Sequence, residues 1–524
     1  MTWIDGDWEP TTLHAVLDSG IAAYGAANIA FSYVDEDRDL TLGELHAGAG
    51  RWAAALAGVG VMPGDRVAVL LQGHSTWPTV QVACSRLGAV LVGINTRYRS
   101  HEIDHLMTVM QPSVVVSGPT WRDISCVRLI DESVLRLLTD ARLVSAPVRV
   151  TIGDEPEGEF VPAKEFLDGA ADHELAPRDV SPDDVALIQF TSGSTGAPKG
   201  VRLTHDAVLR AAFHLTKAMA WTADDVVYSA LPFYHVGGSI CTGPVALFSG
   251  ATMVIPETFG AGEAVEHNVA RQCNGHQGHS AMFTMFLDAA REAGALSALR
   301  IHKAWAIAPP SVLRRIAADL RTDGVVSLYG MSEHPLSTIC GLTEPLEKRF
   351  ETVGRPAPDV ELRIDADEPG GVGEIQLRSP MVMSGYHGDE KATSDAFTAD
   401  GWLHTGDLGT WDQDGYVLFT GRLKDMLKPG GENVSAQEVE EFLMLCPGVV
   451  NVAVFGVPDD RLGEAPVAVV QGRSDTHLTE EEILLFCRDR IAGFKTPKRI
   501  HVVSELPLLP NGKLDKMTLK STYA

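Results

Sequence analysis

The stretch from Leu187 to Gly200, LIQFTSGSTGAPKG, constrains this chain most, because a short apolar strand runs into a loop that cannot pack a core. The loop consists almost wholly of Gly, Ser, Thr, Pro and Lys, so its backbone NH groups and hydroxyls can surround an anion. Lys199 adds a positive charge. We predict a strand followed by a phosphate-binding loop whose contacting residues are Thr191, Ser192, Gly193, Ser194, Thr195, Gly196 and Lys199.

This loop does not have the spacing of a P-loop NTPase. The Walker A motif needs four residues between its first glycine and GK[ST], whereas Lys199 is preceded by a proline and followed by a glycine. A flexible polar turn is the alternative interpretation of the loop taken alone.

Length and charge limit the class of protein. A chain of 524 residues is too long for one ordinary core, so several subdomains are expected. The formal charge of -26 disfavours nonspecific binding to nucleic acid or anionic membranes, so an anionic substrate requires a locally basic pocket. Seven scattered cysteines without CxxC spacing indicate neither a disulfide framework nor a structural zinc site. Because no signal peptide, address motif or membrane-spanning run is recognised, we expect a soluble cytoplasmic protein.

Short apolar strands alternate with amphipathic helices along much of the chain. This spacing predicts an α/β fold with a parallel sheet built from crossover units. Thr41 and Glu44 match a capping box at the start of one helix. The predicted elements are helices at 13–24, 41–56, 79–89 and 205–220, strands at 29–34, 90–95, 112–117 and 225–230, a turn and a strand within 61–72, and a further helix and strand around 240–255.

One short motif points to a different chemistry. His101, Glu102 and His105 belong to HEIDH, the HExxH arrangement that binds zinc beside a general base in metalloproteases. A charged helix start explains the same residues, since Glu102 and Asp104 suit the positive end of a helix. No third ligand is indicated, and a zinc hydrolase is kept as an alternative.

Signatures downstream of the loop carry residues suited to nucleotide chemistry. LPFYHVGG places His235 before two glycines, where flexible backbone leaves room for a ligand. In SLYGMSE, Tyr329 could stack on a base, Ser332 could bind a phosphate oxygen and Glu333 could hold Mg²⁺.

Further signatures lie towards the C-terminus. GEIQLRS reads as a strand, GWLHTGD places Asp407 in a turn, and DGYVLFTGRLKD carries Arg422. An aspartate can accept hydrogen bonds from a ribose diol, and an arginine suits the same diol or a phosphate. LLPNGKLDK presents Lys513 on a glycine turn. Each signature alone has a surface-loop explanation, and their order is more informative than any one of them.

Taken together, these signatures resemble the adenylate-forming superfamily of acyl-CoA synthetases, nonribosomal peptide adenylation domains and beetle-type luciferases, over about residues 12–516. TSGSTGAPKG is similar to the family's phosphate loop, YGMSE to its adenine and magnesium motif, GEI, TGD and GRLKD to its later signatures, and PNGK to its catalytic lysine motif. The resemblance implies a large multi-subdomain N-terminal domain (1–423) and a small mobile α+β C-terminal domain (424–524), with a hinge near Lys424. Elements predicted in the latter are helices at 436–446 and 479–492 and strands near 451–456 and 466–471.

The resemblance also implies a chemistry. A carboxylate attacks the α-phosphorus of ATP and expels pyrophosphate, which leaves an acyl adenylate. Lys513 would lie between the carboxylate and the α-phosphate, and the loop around Lys199 would hold the departing phosphates. The implied residues are Lys513, Glu333 and His235 for catalysis, Glu333 and Thr195 for the metal, and Ala308, Pro309, Tyr329, Gly330, Ser332, Asp407 and Arg422 for ATP in addition to the loop.

The second substrate distinguishes the branches of this superfamily. KPGGENVSAQEVE resembles the loop that builds the pantetheine tunnel of acyl-CoA synthetases, which implies that Gly430, Gly431 and Glu432 bind CoA. Lys495 and Lys498 could meet CoA phosphates, or they could be solvated surface lysines. We therefore expect an acid–thiol ligase that forms an acyl-CoA from a carboxylic acid, with an amide bond synthetase as the alternative.

The acyl pocket departs from the family's usual pattern. AIAPPS supplies Ala306 and Ile307 where small residues are common, and RQCNGHQGHSAMF places His276 and His279 where relatives tend to carry an apolar strand. We hypothesise a medium-sized acid with a ring or a polar group, and local repacking is the alternative. The implied pocket residues are His235, Val236, Gly238, Ile307 and Met331.

The expected partners are small molecules. They are a carboxylic acid, ATP and coenzyme A, with Mg²⁺ as the metal ion, and neither nucleic acid nor a membrane span is expected. The oligomeric state is left open, with a homodimer as one alternative.

Overall fold

The computed structural model describes most of the chain, and its described part divides into two compact units. Unit 1 comprises Met1–Glu361 and Arg378–Gly401, and unit 2 comprises Leu362–Leu377 and Trp402–Ala524. The described residues are 6–122, 124–170, 178–191, 198–368, 370–423, 426–427, 429, 434–459, 463–473, 476, 478–488, 490–491, 495–509 and 514–523. Across these ranges, every helix is too short or too polar to cross a lipid bilayer.

Helices and strands alternate along unit 1, as the sequence predicted. Its helices are α1 (Leu13–Tyr24), α2 (Leu42–Gly58), α3 (Thr76–Leu87), α4 (Ser100–Met110), α5 (Cys126–Thr139), α6 (Ala163–Asp168), α7 (His205–Ala218), α8 (Val236–Ser239), α9 (Gly243–Ser249), α10 (Ala261–Ala270), α11 (Ser280–Glu292), α12 (Pro310–Leu320), α13 (Leu346–Glu351) and α14 (Glu390–Asp395). Its strands are β1 (Ile29–Tyr33), β2 (Arg38–Thr41), β3 (Arg66–Leu70), β4 (Val90–Gly93), β5 (Val114–Ser117), β6 (Thr120–Trp121), β7 (Ile124–Ser125), β8 (Val148–Thr151), β9 (Val161–Pro162), β10 (Val185–Thr191), β11 (Lys199–Thr204), β12 (Val226–Ser229), β13 (Thr252–Ile255), β14 (Gly275–His279), β15 (Lys303–Ile307), β16 (Val325–Val326), β17 (Leu328–Met331), β18 (His334–Ile339) and β19 (Arg355–Pro356).

Two seven-stranded sheets form the framework of unit 1. The first sheet has the order β16-β15-β14-β12-β13-β1-β2 and is parallel except for β2. The second has the order β11-β10-β4-β3-β5-β8-β9 and is parallel except for β11. Every residue of β4 and β5 is buried, because parallel strands are covered on both faces. The predicted parallel crossover architecture is confirmed.

Helices cover both sheets of unit 1. On the second sheet, α4 and α5 bury side chains such as Leu106 and Ile130. On the first sheet, α11 and α12 bury side chains such as Phe286 and Ile316. Helix α7 contacts both β10 and α9, and α9 contacts β1, so these helices bridge the two sheets. All seven cysteines of the chain are buried free thiols.

Local signals explain where several helices begin and end. Thr41 Oγ1 accepts a hydrogen bond from the NH of Glu44 over 3.2 Å, and the Glu44 carboxylate accepts one from the NH of Thr41 over 2.9 Å. This confirms the capping box, a motif in which the N-cap alone contributes roughly 1 kcal/mol. Helix α3 ends at Leu87 and is capped by Gly88, whose φ of +67° favours glycine.

Unit 2 is built around two smaller sheets. A four-stranded sheet has the order β20-β21-β22-β23, and a three-stranded sheet, β26-β27-β28, is covered by α15 and α16 on one face and by α17 on the other. The strands of these sheets are β20 (Glu361–Asp365), β21 (Gly373–Arg378), β22 (Leu403–Trp411), β23 (Val417–Arg422), β26 (Val449–Asp459), β27 (Gly463–Gly472) and β28 (Arg499–Val503). A separate hairpin consists of β24 (Met426–Leu427) and β25 (Val434–Ser435). The helices are α15 (Ala436–Leu443), α16 (Glu480–Cys487) and α17 (Lys516–Tyr523).

The predicted strands and the first predicted helix of this region are confirmed as β26, β27 and α15. The C-terminal end predicted for the second helix is wrong. Helix α16 ends at Cys487, its last buried residue, because Arg488 adopts an extended backbone conformation.

Candidate active site

The C-terminal ends of the parallel strands of the first sheet meet at one edge of unit 1, and several predicted site residues lie at or after them. His235 comes after β12, Ile307 ends β15, and Glu333 follows β16 and β17. In open α/β sheets, ligands bind at this edge. The fold therefore brings residues that are far apart in sequence to one side of unit 1.

The predicted phosphate loop joins two antiparallel strands of the second sheet. Strand β10 ends at Thr191 and β11 begins at Lys199, and these two residues are paired across the ladder. The predicted strand before the loop is confirmed. The loop residues Ser192, Gly193, Ser194, Thr195 and Gly196 lie outside the described residues, so their roles stay predictions.

A tyrosine joins Lys199 to Glu333. The Tyr386 hydroxyl donates a hydrogen bond to Glu333 Oε1 over 2.8 Å, and the Lys199 ammonium lies 4.9 Å from the centroid of the Tyr386 ring. The NH of Met383 donates to the carbonyl oxygen of Glu333 over 2.8 Å. The lysine predicted for phosphate and the carboxylate predicted for metal thus contact one side chain.

The backbone around Tyr386 is fixed to β11 and to α14. Tyr386 forms an antiparallel bridge with Val201, and its NH donates to Thr393 Oγ1 over 2.8 Å. Gly385 has a φ of +117°, which other residues rarely adopt. Burial, reinforced by the Glu333 carboxylate, raises the pKa of Tyr386, so its hydroxyl is a hydrogen-bond donor at neutral pH.

The predicted adenine motif forms a hairpin. Tyr329 is buried in β17, where it pairs with Thr338 of β18. A Cβ atom on Gly330 would come within 2.3 Å of the Pro335 carbonyl oxygen, so this hairpin requires glycine. Four other residues predicted around the nucleotide and the acid are half-buried, namely Ala308, Pro309, Met331 and Ser332.

His235 and Val236 begin the short helix α8, and both are half-buried. Gly238, predicted for the acyl pocket, is buried against the preceding turn. A Cβ atom there would lie 2.5 Å from Phe233 Cα and from the Pro232 carbonyl oxygen. This close approach explains the glycine without a ligand.

Buried amide side chains hold this segment from both sheets. Gln189 of β10 donates to Ser239 Oγ over 2.5 Å, and Gln277 of β14 donates to Thr242 Oγ1 over 2.5 Å. The Ser239 hydroxyl in turn donates to the carbonyl oxygen of His235 over 2.9 Å. Gln189 Oε1 has no hydrogen-bond partner among the described residues, but the bonds donated from both sheets restrain this segment. His235 is therefore placed on a backbone with little freedom.

The two histidines of the polar strand β14 face opposite sides of the sheet. His279 is exposed at the end of the strand, where it pairs with Ile307, whose side chain is 50% exposed. Because side chains alternate along a strand, Gln277 shares the face of His279. His279 and Ile307 therefore stay candidates for the acyl pocket.

His276, in contrast, belongs to the core of unit 1. It is fully buried, and its ring centroid lies 4.7 Å from that of Phe283 and 4.6 Å from that of Phe286. The sequence-based assignment of His276 to a polar pocket is wrong, because α11 covers that face of β14. At this position, local repacking is the correct interpretation.

We expect His276→Leu to stabilise unit 1. Within the described ranges, neither ring nitrogen of His276 has a hydrogen-bond partner, and burial lowers its pKa to about 3. Removing two uncompensated polar atoms should raise the free energy of unfolding by about 1–3 kcal/mol near neutral pH. Urea unfolding followed by tryptophan fluorescence measures the change.

The stabilisation should be larger in acid. The unfolded chain protonates this histidine below about pH 6.5, whereas the folded chain keeps it neutral down to about pH 3. The native protein therefore loses about 1.4 kcal/mol per pH unit in that window, and the variant's advantage at pH 5 should be about 2 kcal/mol greater. As a control, His279→Leu should change stability by no more than about 0.5 kcal/mol. A His276→Leu protein no more stable than the native chain at either pH would contradict this interpretation.

The residues of the HEIDH motif have structural contacts. Glu102 Oε2 accepts a hydrogen bond from the NH of Arg99 over 3.0 Å, at the start of α4, and His105 Nε2 lies 3.0 Å from the Pro198 carbonyl oxygen. The helix-start interpretation of Glu102 is confirmed. His101 is exposed. Among the residues that the structure describes, no group of three His, Cys, Asp or Glu side chains could hold a metal ion.

In unit 2, Asp407 and Arg422 pair across neighbouring strands. They face each other in the β22–β23 ladder, and Arg422 Nε lies 3.0 Å from Asp407 Oδ1. Asp407 is 1% exposed, and a buried carboxylate requires a compensating partner such as this arginine. The prediction that Asp407 lies in a turn is wrong, because β22 continues through it to Trp411.

Glu374, in the GEI signature, fixes the TGD signature. Its Oε1 accepts a hydrogen bond from the NH of Gly406 over 2.9 Å, and its Oε2 lies 2.7 Å from His404 Nδ1. Gly406 has a φ of +67°. Two signatures that are separate in sequence thus form one structure that presents Asp407.

Of the remaining predicted residues, two lysines lie within the described ranges and five residues lie outside them. Lys495 contacts the Glu438 carboxylate, and the backbone NH of Lys498 donates to the Pro466 carbonyl oxygen over 2.8 Å. Residues predicted for the hinge, for CoA and for adenylation lie outside the described ranges, namely Lys424, Gly430, Gly431, Glu432 and Lys513.

Sequence reasoning missed Tyr386 and the positioning role of Glu374. A tyrosine directly after the glycine in MSGYHGD was a local signal for the first. The GEI signature marked the position of Glu374, but its hydrogen bond to Gly406 joins residues 32 positions apart and follows only from the fold.

Comparisons with known proteins agree on one family. A family model described as AMP-binding enzyme matches residues 21–387, and one described as AMP-binding enzyme C-terminal domain matches residues 438–513. The chain is 35% identical over 521 residues to the 3-[(3aS,4S,7aS)-7a-methyl-1,5-dioxo-octahydro-1H-inden-4-yl]propanoyl:CoA ligase of Rhodococcus jostii (strain RHA1), covering 98% of this chain and 99% of that protein. It is 33% identical over 507 residues to a feruloyl-CoA synthase of Amycolatopsis sp, covering 92% and 94%. Among solved structures, ATP-bound MatB from Rhodopseudomonas palustris has a TM-score of 0.84 at 28% identity, covering 98% of this chain and 99% of that chain.

Proposed function

Because this chain belongs to the AMP-binding enzyme family, we propose that it is an ATP-dependent carboxylate–CoA ligase that releases AMP and pyrophosphate. The fold class and the family predicted from the sequence are confirmed. The observation that carries the proposal is the contact of Lys199 and Glu333 with the same tyrosine. It gathers a cation and a carboxylate near the end of the glycine-rich loop, as binding of a metal–polyphosphate requires.

In the first half-reaction, an oxygen of the substrate carboxylate bonds to the α-phosphorus while the bond to the β-phosphate breaks. Lys199 offsets charge on the departing pyrophosphate, and Lys513 offsets charge that develops between the carboxylate and the α-phosphate. Asp407 accepts hydrogen bonds from the ribose, and Arg422 holds Asp407 in place. Fixed charges commonly contribute about 3–4 kcal/mol each in a site that excludes water.

Glu333 fits a magnesium ligand. The residue is half-buried and Tyr386 donates a hydrogen bond to Oε1, so Oε2 would be the oxygen available to the metal. Carboxylate oxygens are the protein ligands that Mg²⁺ prefers, often one or two per site beside phosphate oxygens. When bound, Mg²⁺ neutralises charge on the phosphates of ATP. Thr195 stays a second predicted ligand.

In the second half-reaction, the CoA sulfur bonds to the acyl carbon, the carbon–oxygen bond to AMP breaks, and the thiol proton is released. KPGGENVSAQEVE, which resembles a pantetheine-tunnel loop, supports CoA as the acceptor. The name of the Rhodococcus relative, a CoA ligase that aligns over 98% of this chain, supports the same acceptor.

We infer that the acid is a medium-sized cyclic or functionalised one. His279 and Ile307 set a polar and a branched apolar side chain beside each other at the ligand-binding edge. The Rhodococcus relative is named for an acid with a fused ring system and two ketones, and the Amycolatopsis relative for an aromatic acid.

Incubation with ATP, Mg²⁺ and a panel of aliphatic, aromatic and alicyclic acids, with and without CoA, tests the function. Mass spectrometry should find an acyl-CoA for a cyclic acid, and pyrophosphate release should depend on that acid. Faster turnover of palmitate than of every cyclic acid would contradict the substrate class. Adenylate that accumulates with CoA and disappears when an amine is added would contradict CoA as the acceptor and assign the chain to the amide-forming branch.

Other features stay proposals. They are the boundary between domains 1–423 and 424–524 with its hinge at Lys424, the CoA contacts of Gly430, Gly431 and Glu432, the cytoplasmic location and the homodimer. Sedimentation of the purified chain at several concentrations tests the last of these.

A further inference from the structure

We propose that Tyr386 is a positioning residue that aligns the metal ligand and the phosphate-binding lysine at the same time. Its hydroxyl orients the Glu333 carboxylate for Mg²⁺, and its ring holds the Lys199 ammonium beside the phosphate loop. The inference rests on the proposed function, in which Glu333 binds the metal and Lys199 the phosphates.

The hydroxyl group of Tyr386 restricts the orientation of the Glu333 carboxylate. A carboxylate can turn about its last bond, and a hydrogen bond of 2.8 Å to Oε1 removes much of that freedom. The hydrogen bond from the NH of Met383 to the carbonyl oxygen of Glu333 fixes the backbone as well. Residues that orient a metal ligand in this way typically change metal affinity by about 10–100-fold when they are removed.

The aromatic ring of Tyr386 attracts the Lys199 ammonium. An ammonium within about 6 Å of an aromatic centroid is attracted to the face of the ring. At 4.9 Å, the Lys199 Nζ atom meets this condition, and its backbone is held in the β10–β11 ladder. The flexible lysine stem is therefore directed before any phosphate arrives.

Tyr386 can serve both groups because its own position is fixed. The left-handed φ of Gly385 turns the chain, and a Cβ atom at 385 would lie 2.7 Å from a methyl carbon of Thr393. Thr393 Oγ1 accepts the NH of Tyr386 and donates to the carbonyl oxygen of Asp389 over 2.8 Å. The bridge to Val201 then ties the tyrosine to the strand that begins with Lys199.

Two substitutions distinguish the hydrogen bond to Glu333 from the ring contact with Lys199. Tyr386→Phe removes the hydrogen bond to Glu333 and keeps the ring over Lys199, whereas Tyr386→Leu removes both. Binding is measured without an acid substrate, so no turnover occurs. Electron paramagnetic resonance gives Mn²⁺ affinity in the presence of ATP, with Mn²⁺ replacing Mg²⁺ at oxygen ligands, and calorimetry in EDTA gives the affinity for metal-free ATP.

For Tyr386→Phe, we expect Mn²⁺ affinity to fall about 10-fold while the Kd of metal-free ATP changes less than about 2-fold. For Tyr386→Leu, we expect the same loss of Mn²⁺ affinity and, in addition, metal-free ATP binding about 3-fold weaker. Tyr24→Phe is the matched control, because it deletes a hydroxyl that donates to the Phe248 carbonyl oxygen over 2.6 Å. It should leave both affinities unchanged.

Glu333→Gln distinguishes failure of this inference from failure of the proposed function. Unchanged Mn²⁺ affinity in Glu333→Gln would remove the metal role on which both depend. Weakened Mn²⁺ binding in Glu333→Gln together with native binding in Tyr386→Phe would overturn only the role of Tyr386. In the Glu333→Gln background, Tyr386→Phe should cause no further loss, and an additional 10-fold loss there would also count against the inference.

Discussion

Lys513→Ala is expected to slow adenylate formation by roughly a hundredfold or more. The reason is electrostatic, because an anionic carboxylate must approach an anionic phosphate, and the lysine of the PNGK signature is the group that the family resemblance assigns to that encounter. Pyrophosphate release in a single turnover measures the step. Near-normal pyrophosphate release by the variant would remove Lys513 from the proposed mechanism.

The second half-reaction provides an internal control for this prediction. Thiolysis of a chemically prepared acyl adenylate should suffer far less than its formation, since that step involves no phosphate electrophile. Lys516→Ala is the matched lysine control, because the Lys516 ammonium pairs with Glu440 Oε1 over 2.6 Å. It should lower neither half-reaction by more than about 3-fold, as surface ion pairs contribute little.

Local signals predicted much of the fold. The capping box of Thr41 and Glu44 acts within a few residues, so it sets the start of α2 in the same way in the sequence and in the structure. The alternation of short apolar strands with helices predicted parallel crossover units, and the structure confirms them in β4 and β5, where every residue is buried because both faces are covered.

Contacts between distant segments set the limit of sequence reasoning. Whether a histidine of β14 faces the core or the ligand-binding edge depends on strand alternation and on α11, so His276 and His279 could not be told apart. Asp407 looked like a turn residue because a glycine precedes it, yet pairing with β23 keeps it in a strand. The role of Tyr386 follows only from its contacts with Lys199 and Glu333, which lie 187 and 53 positions away in the sequence.

Asp407→Asn is expected to lower kcat/KM for ATP roughly 50-fold, mainly through KM. Arg422 Nε lies 3.0 Å from the buried Asp407 carboxylate, and a hydrogen bond to a charged acceptor is worth about 1.5–3 kcal/mol. A ribose contact is the same in the ground state and in the transition state, so its loss weakens binding with little effect on kcat.

A nucleotide that lacks the ribose hydroxyls tests whether the lower kcat/KM of Asp407→Asn comes from a lost ribose contact. With the native chain, 2′,3′-dideoxy-ATP should be a poorer substrate than ATP by a similar factor, whereas Asp407→Asn should discriminate between the two nucleotides by less than about 5-fold. Asp412→Asn is the matched control in the same hairpin, because Asp412 Oδ1 accepts hydrogen bonds from the NH groups of Asp414 and Tyr416 over 2.9 and 2.8 Å. That variant should keep the native preference for ATP. If Asp407→Asn retained the full preference as well, the ribose would have to be bound by another residue, and the buried pair with Arg422 would be a structural feature of unit 2.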